Sequence, residues 1–296
     1  MRVIILGSGG PLPDPERGGS AILISVAGRH YLFDCGQGAT RQTVRANVDP
    51  AEVHTLFFSH LHFDHIADFP FFILSSWICN RGERPTVIGP RGTDAFVKHL
   101  FAGGAYAADI EARLQFRRRQ TNRYAIEPNV VECEPGVIFA DGVVTVTAVY
   151  VEHIPREISP CFALRLEAEG RALVFSGDTA PCEAVIKLAA NADLLLHECT
   201  FPEQAIEFRK SAAIGTWSHT SPIELGKIAA KAGVKSLVAT HFAPWETTHP
   251  LVKRHLAPHM PVDIVGPHLV DEVVADIRQN YAGELRLAED LMRIDL

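Results

Sequence analysis

Residues 60 to 65 read His-Leu-His-Phe-Asp-His, which places four side chains able to ligate a metal within six positions. Taken singly, each of these histidines would read as a surface residue in a turn. Clustered with an aspartate at this spacing, they describe a hydrolytic metal centre instead. The preceding run, Val53 to Phe58, is apolar, β-branched and aromatic, and reads as a buried strand ending at Ser59. If the backbone stays extended through Leu61, His60 and His62 project to the same side and reach one ion. Asp64 and His65 follow as the chain turns toward a helix starting near Ile66, which aims them at a second point close by. Two adjacent metals are the natural reading. Imidazole and carboxylate ligands without thiolate suit two Zn2+ ions, with Mn2+ or Fe2+ as substitutes.

The rest of the chain supplies elements that can position such a string. Strand-like runs lie at Val3 to Leu6, Ala21 to Val26, His30 to Asp34, Val53 to Phe58 and Thr86 to Ile88, with a helix through Phe69 to Trp77. The segment Thr93 to Leu114 reads helical, interrupted at Gly103 and Gly104. A second strand series runs through Val130 to Cys133, Val143 to Val151, Cys161 to Glu167, Ala172 to Ser176, Leu194 to His197 and Ser236 to Thr240. Helices are expected at Pro181 to Ala190 and Pro222 to Ala232. Each half gives strands first and helices after, which predicts an α/β fold of two mixed sheets packed face to face with helices outside, a four-layered αββα sandwich. The expected organisation is one domain over 1–296 with αβ halves at about 1–125 and 126–296.

Composition narrows the class. The chain has 296 residues, 47% of them hydrophobic, enough for a large core. Its net charge of -7 argues against broad nonspecific binding of nucleic acid. The one basic cluster, Arg117, Arg118 and Arg119 with Arg123 nearby, reads either as a patch for an anionic substrate or as a solvated face. The six cysteines show no C-x-x-C spacing and read as reduced core thiols of a cytoplasmic protein. The opening MRVIILGSGGPLPDP reads as a first strand running into a glycine-rich turn, too short in its apolar part for a signal peptide. The most hydrophobic stretch, Phe69 to Ile78, is shorter than a bilayer span and contains a proline, so no membrane segment is expected.

An ordered set of motifs runs through the chain: GSGGPLPDP from Gly7, FDCGQGATRQ around Asp34, HLHFDH, IGPRGT from Ile88, the isolated His153, FSGDT around Asp178, LLLHECT around Glu198, SHTS around His219 and THFAP around His241. In this set the chain resembles the metallo-β-lactamase superfamily, and more narrowly its ribonuclease Z-like branch. The resemblance implies that His153 joins His60 and His62 on one metal, that His241 joins Asp64 and His65 on the other, and that Asp178 bridges them. It implies a metal-held hydroxide as nucleophile, and Asp34 as a residue that orients ligands or the water. It also implies that His219, supported by Glu198, protonates the leaving oxygen, a role of use where the leaving group is poor. Ser221 and Pro222 also read as the N-cap and first position of the helix that follows. His197 alternates with Glu198 and is expected to point away.

Departures from the pattern bear on the substrate. Long bacterial ribonuclease Z enzymes carry a tRNA-gripping arm after the third ligand segment, whereas His153 to Asp178 here spans only 25 positions. Gln37 stands where the family more often has glutamate. These features disfavour tRNA and favour a small anionic ester or nucleotide as substrate of a dinuclear zinc phosphodiesterase. The alternatives are an aryl sulfatase, a lactone or thioester hydrolase, and a metal-binding scaffold or sensor without turnover. A homodimer is expected by the resemblance. Pocket shape is expected to depend on the stretch Gly103 to Arg123 and on the surroundings of Trp217 and Trp245.

Overall fold

A computed structural model describes residues 1–214 and 218–296. Among them, the strands form two seven-stranded sheets. The first contains β1 (Arg2–Gly7), β2 (Ala21–Val26), β3 (Arg29–Phe33), β4 (Val53–Phe57), β5 (Thr86–Gly89) and β6 (Asn129–Glu132), with the C-terminal β14 (Arg293–Asp295) beside β1. The second runs in sequence from β7 (Gly136–Ala140) through β8 (Thr145–Tyr150), β9 (Phe162–Ala168), β10 (Arg171–Phe175), β11 (Leu194–Glu198) and β12 (Ser236–Thr240) to β13 (Glu284–Leu287). In each sheet the early pairs are antiparallel and the last three parallel. Parallel pairing requires crossovers, and these carry the outer helices.

The alternation along β1 and β2 shows why the layers form. Val3, Ile5, Ile22 and Ile24 enter the core between the sheets, while Ile4, Leu6 and Leu23 pack outward under the helix Phe69–Ile78 and its Phe69, Phe72 and Trp77. Both faces of these strands are apolar because both are covered. Phe33 of the first sheet meets Phe175 of the second with ring centroids 6.2 Å apart. Helices Glu183–Leu188, Pro222–Ala232 and Leu269–Arg278 cover the second sheet.

The expected division near residue 125 falls just before β6, which pairs in the first sheet, and β14 returns to that sheet from the chain's far end. The helix expected near Ile66 is resolved into two pieces. A short turn, Phe63–Ile66, already contains Asp64 and His65, and the longer helix starts at Phe69. No helix among the described residues is long and apolar enough to cross a membrane.

Candidate metal centre

The chemistry-bearing residues sit at one edge, where strands of both sheets end. Asp34 follows β3 directly, His60 lies three residues past β4, His153 three past β8 and Asp178 three past β10, while Glu198 closes β11 and His241 follows β12. Strands that run the same way deliver their C-terminal ends to one rim, where ligand sites of open α/β sheets gather.

Two clusters result. His60, His62, His153 and Asp178 form one, and Asp64, His65 and His241 form the other; within each, the candidate ligand atoms lie within 4.8 Å of one another. Asp178 faces both: its Oδ2 is 3.6 Å from His153 Nε2 and 3.9 Å from His60 Nε2, and its Oδ1 is 3.4 Å from His65 Nε2 and 3.3 Å from His241 Nε2. All seven residues that the sequence singled out as ligands converge here.

The donor chemistry fits a cation. His65 Nδ1 donates to Asp34 Oδ2 at 2.6 Å, and His153 Nδ1 to the Ser218 carbonyl at 2.8 Å. Thr200 Oγ1 donates to Glu198 Oε2 at 2.9 Å and so accepts from His241 Nδ1 at 3.0 Å. With their protons held outward, these rings can offer bare Nε2 atoms to the shared space, the form in which imidazole binds metal. His60 Nε2 and Asp178 Oδ1 are buried without a hydrogen-bond partner, the condition of atoms shaped for an ion. Charge agrees. Asp34, Asp64, Asp178 and Glu198 are all buried around this space. Burial opposes protonation of His65 and His241, yet the surrounding carboxylates, Asp178 foremost, raise both above the ordinary imidazole range. His60, by contrast, is pushed well down by burial and then by His65. So much buried negative charge is balanced either by protons on the histidines or by divalent cations.

Local backbone is bent to serve this arrangement. Asp34 and His241 both adopt left-handed conformations, with φ of 57° and 60°, which for non-glycine residues is strain of the kind found at functional sites. Asp34 is fixed by Ser59, whose N–H and hydroxyl both donate to it at 2.7 and 2.8 Å. Glycine is required at Gly36, where a Cβ would lie 2.2 Å from the Asp64 carbonyl oxygen, and is favoured at Gly10, where it would lie 3.0 Å from the His241 ring.

His219 stands beside the clusters, its ring centroid 5.0 Å from that of His153. Its Nδ1 donates to Glu198 Oε1 at 3.0 Å. That carboxylate also accepts the N–H groups of Thr179, Thr220 and Thr200. Burial works to lower the His219 pKa, but Glu198 more than offsets it, and the value is raised to about 9. His197 is fully buried and absent from both clusters, as its alternation with Glu198 implies. Ser221 caps the helix Pro222–Ala232 by accepting from the Glu224 N–H. Ser59 and Thr200, which hold Asp34, Glu198 and His241 in place, were not singled out from sequence; Ser59 immediately precedes the HLHFDH string and Thr200 closes LLLHECT.

A cavity of about 540 Å3 opens beside Asp64, walled by the loop from Gly10 to Gly19, by Phe63 and by His249 to His255. The stretch 103–123 does not line it. Trp245 is buried against Phe242 and is not in its lining, and Trp217 lies outside the described residues. Of the basic cluster, Arg119 donates to the carbonyls of Trp77 and Ile78 and so caps the helix Phe69–Ile78, Arg123 pairs with Glu127, and Arg117 and Arg118 are exposed away from this cavity.

Comparison with known proteins identifies the family and the fold. Residues 29–242 match the family model described as beta-lactamase superfamily domain. The ribonuclease Z of Mycobacterium marinum is 32% identical over 254 residues, covering 82% of this chain and 87% of that protein. Among solved structures, the metallo-beta-lactamase fold protein YhfI from Bacillus subtilis superposes with a TM-score of 0.71 at 20% identity over 99% of both chains. The short form of human tRNase Z does so with a TM-score of 0.67 at 22% identity, over 100% of this chain and 99% of that one. These likenesses in structure support the two-sheet fold.

Proposed function

The chain belongs to the beta-lactamase superfamily, in its ribonuclease Z-like branch, and on that premise we propose that this hydrolase is a dinuclear zinc enzyme that cleaves a phosphodiester in a small anionic substrate. The observation that carries the reading is the position of Asp178, one oxygen toward His60 and His153 and the other toward His65 and His241. A carboxylate so placed suits two cations held side by side. His60, His62, His153 and Asp178 would hold one; Asp64, His65, His241 and the shared Asp178 would hold the other, with manganese or iron as substitutes. Bound there, such ions supply Lewis acidity and bring the pKa of a water to about 7.

The protein's own groups do the remaining work. Asp34, locked by Ser59, fixes the His65 ring. Glu198 orients His219 and favours its protonated form, in which Nε2 carries a proton to deliver to the leaving oxygen. The relatives are named for cleaving RNA, which contains the same bond. For this chain a small ester leads, because the net charge is -7 and only 25 positions separate His153 from Asp178.

The test compares turnover of an aryl phosphodiester and the matching aryl sulfate by the zinc-loaded protein, with His62→Ala as blank. Preference for the phosphodiester, reduced to background in His62→Ala together with loss of one bound metal per chain, is the expected result. Preference for the sulfate, or an unchanged rate in the variant, sinks the reading.

A further inference from the structure

Phe63 lies between the ligand candidates His62 and Asp64, yet the residue is 64% exposed. A phenylalanine held this close to a metal string and left unpacked faces something other than the core. It faces the cavity beside Asp64, together with Pro11, Leu12 and Leu251, the last of these 44% exposed.

The polar members of the lining decide what the cavity can take. Arg17 is the one Lys or Arg among the described residues that line it, and its guanidinium is engaged by Glu246, by Ser8 Oγ at 2.8 Å and by the Ala288 carbonyl at 2.6 Å. Asp14 adds a carboxyl group, which burial raises above its ordinary pKa. Besides His249, His255 and Gln37, the rest of the wall is mostly apolar, and it carries no row of free Lys or Arg side chains. A strand of nucleic acid needs the reverse, a cationic groove that tracks its phosphates. The volume, about 540 Å3, lies in the range of sites that enclose one small molecule.

We propose that this cavity seats an uncharged aromatic ring carried by a small phosphate ester, with Phe63 as the face on which the ring stacks, and that it selects such esters over RNA. The proposal deepens the functional reading above and rests on it for the position of the phosphate beside the ligand clusters. Aromatic pairs gain from offset or edge-on contact, and an aryl group and a nucleobase both present such a face.

Binding separates the two readings. Phenyl phosphate, adenosine 5′-monophosphate, inorganic phosphate and a single-stranded RNA 12-mer are titrated calorimetrically into the zinc-loaded protein and into Phe63→Ala. The ring-bearing probes are expected to bind at least about tenfold more tightly than inorganic phosphate, the scale of one base–aromatic stack, and Phe63→Ala should remove most of that difference. Leu251→Asp, at an exposed position, should weaken the same two probes and leave inorganic phosphate unchanged. The tighter of phenyl phosphate and adenosine 5′-monophosphate identifies the ring. An unchanged ratio in both variants, or an RNA 12-mer bound more tightly than the mononucleotide, overturns the proposal. Ring-dependent binding without phosphodiester turnover would instead overturn the functional reading and leave the cavity's assignment standing.

Discussion

At the scale of single residues, His219 is distinguished from the ligand histidines by what it touches. Its Nδ1 is committed to Glu198, and its ring stands beside the clusters, in neither of them. On the proposed reading this residue serves proton transfer, so its removal should be felt in proportion to the leaving group's need for a proton. His219→Ala is expected to keep its full metal content and to lose about 10²–10⁴-fold in kcat for alkoxide leaving groups. With p-nitrophenolate the loss should be small. Metal analysis alongside a leaving-group series measures this, and equal losses across the series would remove the general-acid role.

At the scale of elements, the loop from Ser8 to Gly19 depends on a residue far along the chain. Asp290 accepts the N–H and hydroxyl of Ser8 with Oδ1, and the Gly18 N–H and the Gln42 amide with Oδ2. Asp290→Ala leaves these donors without their acceptor, at a cost on the order of 1–3 kcal/mol. The expected phenotype is a raised KM with kcat largely kept, since the loop walls the cavity and contributes no ligand; a fall in kcat at unchanged KM would contradict it. This dependence also shows where sequence reasoning stops. The central strands were legible because both of their faces are buried and their apolar runs are unbroken. The short strands β7, β13 and β14 carry half-exposed patterns, and their pairing is supplied by their neighbours. The HLHFDH string announces itself by local density. His153, Asp178 and His241 each stand alone at a strand end, so only the family resemblance grouped them. The cavity was illegible because its walls, near residues 10–19 and 249–255, meet only through tertiary structure.

At the scale of the whole molecule, four buried carboxylates at the seam between two sheets are an electrostatic liability without cations. Metal removal should therefore destabilise the entire fold. A ligand present at about 1,000 times its Kd adds about 4.1 kcal/mol, which for a chain of this size is a melting shift on the order of 10 °C. Calorimetry of the chelated and zinc-reloaded protein checks this, and identical melting curves would count against a metal centre in this seam. The return of the chain's end to β1 carries a different consequence, one of timing. The ribosome delivers the N-terminal part first, so the candidate ligands, the last of them His241, emerge some fifty residues ahead of Asp290 and β14. While translation continues, the loop is held by its bonds to Gln37, Phe242 and Glu246 but lacks the four that Asp290 will accept. The last bonds of the cavity wall are thus set only after every candidate ligand has been made.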